Sequence, residues 1–154
     1  MRAVPECYAD CLPYFVDKAS VYLRLHASVF LHSLNSDLTV EQFIALDAIA
    51  MNKDICQRDL AKILLKDRSN VTRIVSILES KGLIKREAAI KQNRPVKILK
   101  ITPKGQKLAD KYNIPLKKHL NDFLGDFSRT ELEQFQNTLE KIINKISENV
   151  NIQI

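Results

Sequence analysis

The segment DRSNVTRIVSILESKGLIKR, residues 67–86, most constrains the fold, because it specifies both ends of a helix and the strand that follows. Asp67 is a favourable N-cap residue, and Gly82 suits the left-handed conformation in which many helices end. Between them, apolar side chains recur at the helical spacing i, i+3, i+4, i+7. We predict a helix over about residues 68–81 whose buried face consists of Val71, Ile74, Val75 and Leu78.

The other face of this predicted helix carries Ser69, Thr72, Arg73 and Ser76. A solvated helix face is usually rich in glutamate and lysine, and this one has neither. Small hydroxyl side chains allow close approach to base edges, and Arg73 can make a bidentate contact to guanine. We interpret the face as one that enters the major groove of double-stranded DNA, with a solvent-exposed face that has no partner as the alternative.

The neighbouring elements place this helix in a known type of DNA-binding unit. Periodicity predicts two short helices before it, at about residues 40–51 and 57–65. Alternating apolar residues after it predict strands at residues 84–88 and 96–101, joined by a turn at residues 91–95. Two short helices, a longer one and a basic hairpin predict a winged helix-turn-helix.

Long amphipathic helices are predicted on both sides of this unit, at about residues 12–34, 103–123 and 129–149. The apolar surface of the first is wider than one neighbouring helix needs. The last has apolar residues at spacings of 3, 4, 3 and 4, as in a short coiled coil. We predict a mainly α fold with a small β-hairpin wing, in which residues 38–102 form the DNA-binding lobe and residues 1–37 and 103–154 dimerise the chain. The expected seam consists of Leu132, Phe135, Leu139, Ile142 and Ile146.

Positive charge is concentrated in the predicted hairpin and just after it. Residues 85–107 hold eight cations and one glutamate, so their net charge of +7 exceeds the +6 of the whole chain. Such a localised patch attracts polyanions. Lys91 and Arg94 at the hairpin tip are predicted DNA contacts, and we expect Lys97 and Lys100 to share one strand face. Arg68, at the flank of the polar face of the helix at residues 68–81, is expected to meet a backbone phosphate. A solvated, lysine-rich hairpin is the alternative.

Composition and motifs argue against several other classes of protein. No apolar run is long enough to span a bilayer, and the first residues lack the apolar core of a secretory signal. The three cysteines form no CxxC pair, so we expect reduced thiols in a cytoplasmic protein. No catalytic or metal-binding motif is present, and we expect neither enzyme activity nor a cofactor. A thiol-based peroxide-reactive enzyme and a winged-helix protein-interaction module remain alternatives.

The cysteines are candidates for redox sensing. Cys56 lies at the predicted N-cap of the third helix, where a thiol can become reactive, although a packing role is the simpler interpretation. Cys7 and Cys11 are four residues apart and would share a helix face if the first helix extended that far back.

The segments QRDLAKILLKDRSNVTRIVSILESKGLIKR and VKILKITPKGQK, with LTVEQFIALDAI upstream and FSRTELEQF downstream, resemble the MarR (multiple antibiotic resistance regulator) family. The resemblance covers about residues 38–143. It implies a homodimer that represses from a pseudo-palindromic operator and is released by a small ligand or by thiol oxidation. By position, it implies DNA contacts at Ser69, Asn70, Thr72, Arg73 and Arg94.

Two positions depart from the family pattern. The wing reads Asn93-Arg94-Pro95 where the family often has Asp-Arg-Arg, so the aspartate that braces the wing is missing. Leu65 stands where the family often has the glycine of the helix-helix turn. We therefore expect either a turn of another shape or a strained backbone at Leu65.

Overall fold

The computed structural model describes residues 11–91 and 94–149. These residues form helices and one two-stranded antiparallel sheet, which confirms the predicted mainly helical fold with a hairpin wing. The elements are α1 (Leu12–Ser33), α2 (Val40–Met51), α3 (Gln57–Leu64), α4 (Arg68–Ser80), β1 (Ile84–Lys91), β2 (Arg94–Ile101), α5 (Pro103–Leu124) and α6 (Arg129–Asn149).

Capping boxes determine where α2 and α6 begin. At α2, the Gln42 amide donates to the Thr39 hydroxyl at 3.3 Å, and the Thr39 amide donates to the Gln42 side chain at 3.2 Å. At α6, the Ser128 amide donates to the Glu131 carboxylate at 2.8 Å, and the Glu131 amide donates to the Ser128 hydroxyl at 3.2 Å. Each box satisfies N–H groups that have no partner within the helix.

The hydrophobic core lies where α2, α3 and α4 meet the base of the hairpin. All four residues predicted for the inner face of α4 are buried there. Because these residues anchor α4 along its length, the opposite face of α4 points outward. The most deeply buried large side chains are Leu46, Leu60, Val71, Val75, Leu78, Ile84 and Leu99.

The turn between α3 and α4 keeps its usual shape without the expected glycine. Leu65 adopts a left-handed conformation, with φ 51° and ψ 45°. The Lys66 amide donates to the Ala61 carbonyl at 3.1 Å, which closes the end of α3. A left-handed non-glycine residue costs about 1–2 kcal/mol. Of the two expectations for this position, backbone strain at Leu65 is therefore the correct one.

The hairpin is longer than predicted. Its strands pair without a bulge from Ile84 opposite Ile101 to Lys91 opposite Arg94, so the expected turn at residues 91–95 was too wide. The Leu99 amide donates to the Ile55 carbonyl at 2.8 Å, which fixes the hairpin base to the segment before α3. Our expectation that Lys97 and Lys100 share a strand face was wrong, because residues three apart in an unbroken strand point to opposite faces.

The start of α5 is packed tightly against the end of α4. Gly82 ends α4 with φ 68°. The Thr102 hydroxyl, which accepts from the Gly105 amide at 3.0 Å, donates to the Gly82 carbonyl at 2.8 Å. A Cβ on Gly105 would lie only 2.1 Å from the Leu83 carbonyl oxygen. Gly105 therefore permits the close contact that joins the helix-turn-helix lobe to α5.

Outside this lobe, α1, α5 and α6 leave large apolar side chains in solvent. Val29 on α1 is 70% exposed, and Phe135 on α6 is 60% exposed. Helix α5 continues through Pro115. His26 of α1 stacks on His119 of α5, with ring centroids 4.6 Å apart. Among the helices just described, none combines the length and apolarity that a bilayer-spanning segment needs.

Candidate nucleic-acid interface

The outward face of α4 carries the side chains that the sequence predicted. Ser69, Thr72, Arg73 and Ser76 are all exposed, on the side opposite Val71 and Leu78. Arg68, at the first position of the helix, is also exposed. The face is therefore available to a partner and contains one long cation, Arg73, among small polar residues.

The N-terminus of α4 is already occupied by a carboxylate. Asp67 accepts from the Asn70 amide at 2.9 Å and also binds the Asn70 side-chain amide. These bonds from Asn70 lower the pKa of Asp67 below its ordinary value. Because Asp67 takes the Asn70 N–H and adds negative charge there, this end of α4 is poorly suited to a phosphate.

The cap of α4 provides a pH-dependent contribution to stability. A lowered carboxyl pKa means that the contribution is present above the unfolded value, near 4, and is lost as pH falls through the folded value. Asp67→Asn retains a capping side chain but removes the titrating charge. We expect its urea midpoint to fall less steeply than that of the unmodified protein between about pH 5 and pH 3. If the urea midpoints of Asp67→Asn and of the unmodified protein fell with the same slope against pH, this role of Asp67 would be contradicted.

The hydroxyl of Thr72 is held by two neighbours. It donates to the Arg68 carbonyl at 2.8 Å and accepts from the Gln57 side-chain amide at 3.2 Å. Its hydrogen is therefore engaged within α4, and Thr72 can offer only an acceptor or its methyl group. Gln57, the first residue of α3, adjoins the outward face of α4. The sequence analysis missed it, because its placement depends on the crossing of α3 and α4.

The hydroxyl of Ser76 is also engaged. Arg86, on β1, donates to it at 2.9 Å and forms an ion pair with Glu79 at 3.2 Å. The sequence analysis had counted Arg86 only as part of the basic run. A neutral serine ten residues before an arginine gives no sequence signal for this contact.

A carboxylate lies close to the face of α4. Glu41 of α2 binds Lys66 at 2.8 Å. The hydrogen bond from Lys66 lowers the pKa of Glu41, and the charge of Arg73 adds a weaker attraction. Glu41 therefore stays ionised at neutral pH and partly balances the positive charge around Arg73.

Some cations of the hairpin are paired with a carboxylate. The Glu87 carboxylate contacts Lys85 at 2.6 Å and Lys100 at 3.2 Å, and these hydrogen bonds lower the pKa of Glu87. Part of the positive charge of the hairpin base is thereby neutralised. Lys91, the last residue of β1, pairs with Arg94, the first residue of β2, and the described part of the chain excludes their side chains.

The two cysteines in the described residues differ in exposure to solvent. Cys56 is the N-cap residue of α3 and only 6% exposed, and its thiol donates to the Asp59 carboxylate at 3.1 Å. Burial restricts access of oxidants to it. Cys11 precedes the first residue of α1 and is partly exposed. It therefore lies just outside α1, and Cys7, with which it was expected to share a helix face, lies outside the described residues. Within residues 11–91 and 94–149 no three potential metal ligands cluster.

Comparison with known proteins gives a consistent family assignment. No curated protein sequence matches the chain significantly. A MarR family model matches residues 36–94, which span α2 to the hairpin.

Three solved structures share the fold along nearly the whole chain. S. aureus MepR in complex with DNA is 24% identical over 88% of this chain and 96% of its own, with a TM-score of 0.76. The PcaV regulator of Streptomyces coelicolor, in complex with its natural ligand, is 19% identical over 94% and 98%, with a TM-score of 0.72. A protein of unknown function from Listeria innocua is 30% identical over 93% and 95%, with a TM-score of 0.65. The MarR family model covers the helix-turn-helix and the first strand of the wing, and these structures share the fold along the rest of the chain. The chain belongs to the MarR family of winged-helix transcriptional regulators.

Proposed function

We propose that the protein is a homodimeric repressor that binds a pseudo-palindromic operator and is released by a small ligand or by thiol oxidation. The observation that carries the proposal is the outward face of α4, which has no acidic side chain between Ser69 and Ser76 and has Arg73 exposed near its centre. Because its inner face is buried against α2 and α3, α4 can enter a major groove without losing its packing.

Within this proposal the residues have distinct roles. Arg73 reads a guanine, and Ser69 approaches a base edge or a phosphate. Thr72 offers its acceptor or its methyl group to a base edge. Arg68 binds a backbone phosphate, and Asn70 contributes mainly through the helix cap. Lys91 and Arg94 bring the wing to the minor groove or to the phosphates beside it, as their place at the end of the strands allows.

The proposed dimer is supported by the apolar side chains that one chain leaves in solvent. A groove of about 740 Å³ between α1, α5 and α6 is lined mainly by apolar and aromatic residues. Such patches on soluble chains mark interaction surfaces. We propose that residues 1–37 and 103–154 pair with the same regions of a second copy, and that residues 38–102 form the DNA-binding lobe. Two-fold symmetry then sets two α4 helices about 34–36 Å apart. The groove is lined by Ala19, Tyr22, Leu23, His26, Phe123, Leu124, Phe127, Glu131, Leu132 and Phe135.

The proposed release from DNA has two candidate signals. The structures of MepR with DNA and of PcaV with its ligand support a protein that can bind both kinds of partner. Thiol oxidation is the second candidate, since Cys11 is partly exposed. These two modes of release are distinguishable by experiment.

Selection of genomic DNA fragments by the purified protein tests the proposed function. We expect recovery of duplexes that share an inverted repeat, with binding that weakens steeply as salt increases. Parallel selections with peroxide and with a panel of phenolic compounds identify the releasing signal. Failure to retain any duplex at low ionic strength would contradict DNA binding, and recovery of fragments without a shared motif would contradict a specific operator.

Arg73 is expected to contribute to sequence specificity, and Arg94 to affinity for DNA of any sequence. Arg73→Ala removes a base contact and should lower operator affinity by about 1–3 kcal/mol, or roughly 5- to 150-fold, with a smaller loss on unrelated DNA. Arg94→Ala should lower affinity for most sequences alike and reduce the salt slope by about one. Fluorescence anisotropy with operator and scrambled duplexes measures both. Identical effects on every duplex would contradict the separate roles.

A further inference from the structure

Arg86 connects the two elements of the proposed DNA-binding surface. It lies on β1, and its two terminal guanidinium nitrogens both contact α4. One donates to the Ser76 hydroxyl at 2.9 Å, and the other forms an ion pair with Glu79 at 3.2 Å. Ser76 and Glu79 are three residues apart and therefore neighbours on the helix surface. The guanidinium thus spans one turn of α4.

The environment of Arg86 differs from that of an ordinary surface ion pair. Its side chain is 23% exposed, and its Nε atom is buried without a hydrogen-bond partner. Its strand partner is Leu99, which is buried and whose amide is bonded to Ile55. The backbone that carries the guanidinium is therefore held in place by the core, and a planar fork on a fixed stem can hold two partners in a defined geometry.

We propose that Arg86 is a positioning residue that sets the orientation of α4 relative to the wing. This rests on the proposed DNA-binding function. With both terminal nitrogens on α4, Arg86 contributes to operator recognition through the helix. Ser76 is accordingly a partner of Arg86, in place of the base contact that the sequence predicted for it. The wing and α4 then approach the duplex as one rigid unit.

A charge exchange tests the proposal with DNA. Arg86→Glu should lower operator affinity by about tenfold or more, because it opposes Glu79 and breaks a coupled pair. The double variant Arg86→Glu with Glu79→Arg keeps the total charge of the unmodified protein and should recover most of the loss. If net charge alone caused the loss, the double variant would bind the operator no more tightly than Arg86→Glu combined with a glutamate-to-arginine change at a position that does not contact residue 86. The proposal would be overturned if the double variant bound the operator no more tightly than Arg86→Glu alone.

The salt dependence separates positioning from direct phosphate contact. Arg86→Leu should lower operator affinity about tenfold while the salt slope stays unchanged, since no phosphate contact is lost. Lys85→Leu is the matched control, because it removes a cation from the adjacent strand position. We expect it to weaken binding to operator and scrambled duplexes equally. A slope that falls by about one in Arg86→Leu would assign Arg86 to a phosphate and overturn the proposal.

A distance measurement tests the same proposal without DNA. Nitroxide labels are attached to cysteines introduced at positions 73 and 97, in a background lacking the three native thiols, and labelled chains are diluted with unlabelled ones. Arg86→Leu should broaden the distance distribution between α4 and the hairpin, and the charge exchange should narrow it again. An unchanged distance distribution in Arg86→Leu would overturn the positioning role. If neither the unmodified protein nor any variant bound duplex DNA, that result would instead refute the proposed function.

Discussion

Replacing Ile142 by glutamate is expected to convert the protein to monomers and to weaken operator binding by about 10²- to 10⁴-fold, because one half-site no longer assists the other. Ile142 belongs to the apolar seam of α6, whose Phe135 and Ile146 are 60% and 48% exposed in a single chain. A carboxylate in an apolar contact between two chains has no partner to offset its desolvation. Light scattering measures the mass, and anisotropy measures operator binding.

Asn144→Glu is the matched control for this experiment. It adds the same charge to the same helix, two residues away and therefore on nearly the opposite side. We expect it to remain dimeric and to bind the operator with little change. A dimer that persists in Ile142→Glu would show that the seam is not the interface between copies. The domain assignment of residues 103–154 would then require another surface for self-association.

Substituting Gly105 by alanine is expected to cause the largest loss of folding stability of any change proposed for this chain. The added Cβ would lie 2.1 Å from the Leu83 carbonyl oxygen and 2.9 Å from a side-chain carbon of Ile101. Because the nearest atom belongs to the backbone, the start of α5 must move away from the hairpin. We expect a cost of about 3 kcal/mol or more. This corresponds to a fall in Tm of about 6–12 °C for a chain of this size.

Gly82→Ala separates this steric effect from a general effect of replacing glycine. Gly82 has φ 68°, and nothing lies within 4 Å of a Cβ built there. Its substitution should cost only about 1 kcal/mol, from the left-handed backbone. Calorimetry on both variants tests the comparison. If Gly105→Ala were no less stable than Gly82→Ala, the close packing of α5 against Leu83 would not be required for folding.

Local sequence was sufficient to predict α4 and its two faces. Its N-cap Asp67, its glycine stop and its apolar spacing all act within one or two turns, so no distant residue is needed to define the helix. The caps at Thr39 and Ser128 are equally local, since their partners are three residues away. The prediction of α4 was confirmed because capping and periodicity are short-range effects.

The hairpin was predicted in kind but not in detail. Its two strands were expected, but they extend three residues further along β1 and two further back along β2 than alternation indicated. Leu99 and Ile98 are both buried, although neighbours in a strand point to opposite faces. Burial on both faces arises because the Ile55 segment and the α helices cover the base of the hairpin. No pattern within residues 94–101 encodes that covering.

The hydrogen-bond partners on the proposed DNA-binding face were the least predictable feature. Thr72 is bound by Gln57, fifteen residues earlier, and Ser76 by Arg86, ten residues later. The sequence predicted which side chains lie on this face, but it gave every one of them the same role, a DNA contact. Their actual availability depends on how α3 and β1 cross α4.

The amino-acid sequence was enough to establish a mainly helical chain with a basic hairpin, one amphipathic helix whose polar face is turned outward, and a family resemblance, because caps, periodicity and charge are properties of short segments. Packing in three dimensions was needed to reveal that Thr72 and Ser76 already have partners on other elements and that Gly105 leaves no room for a side chain. Each of those features depends on atoms that folding alone brings within a few ångströms of one another.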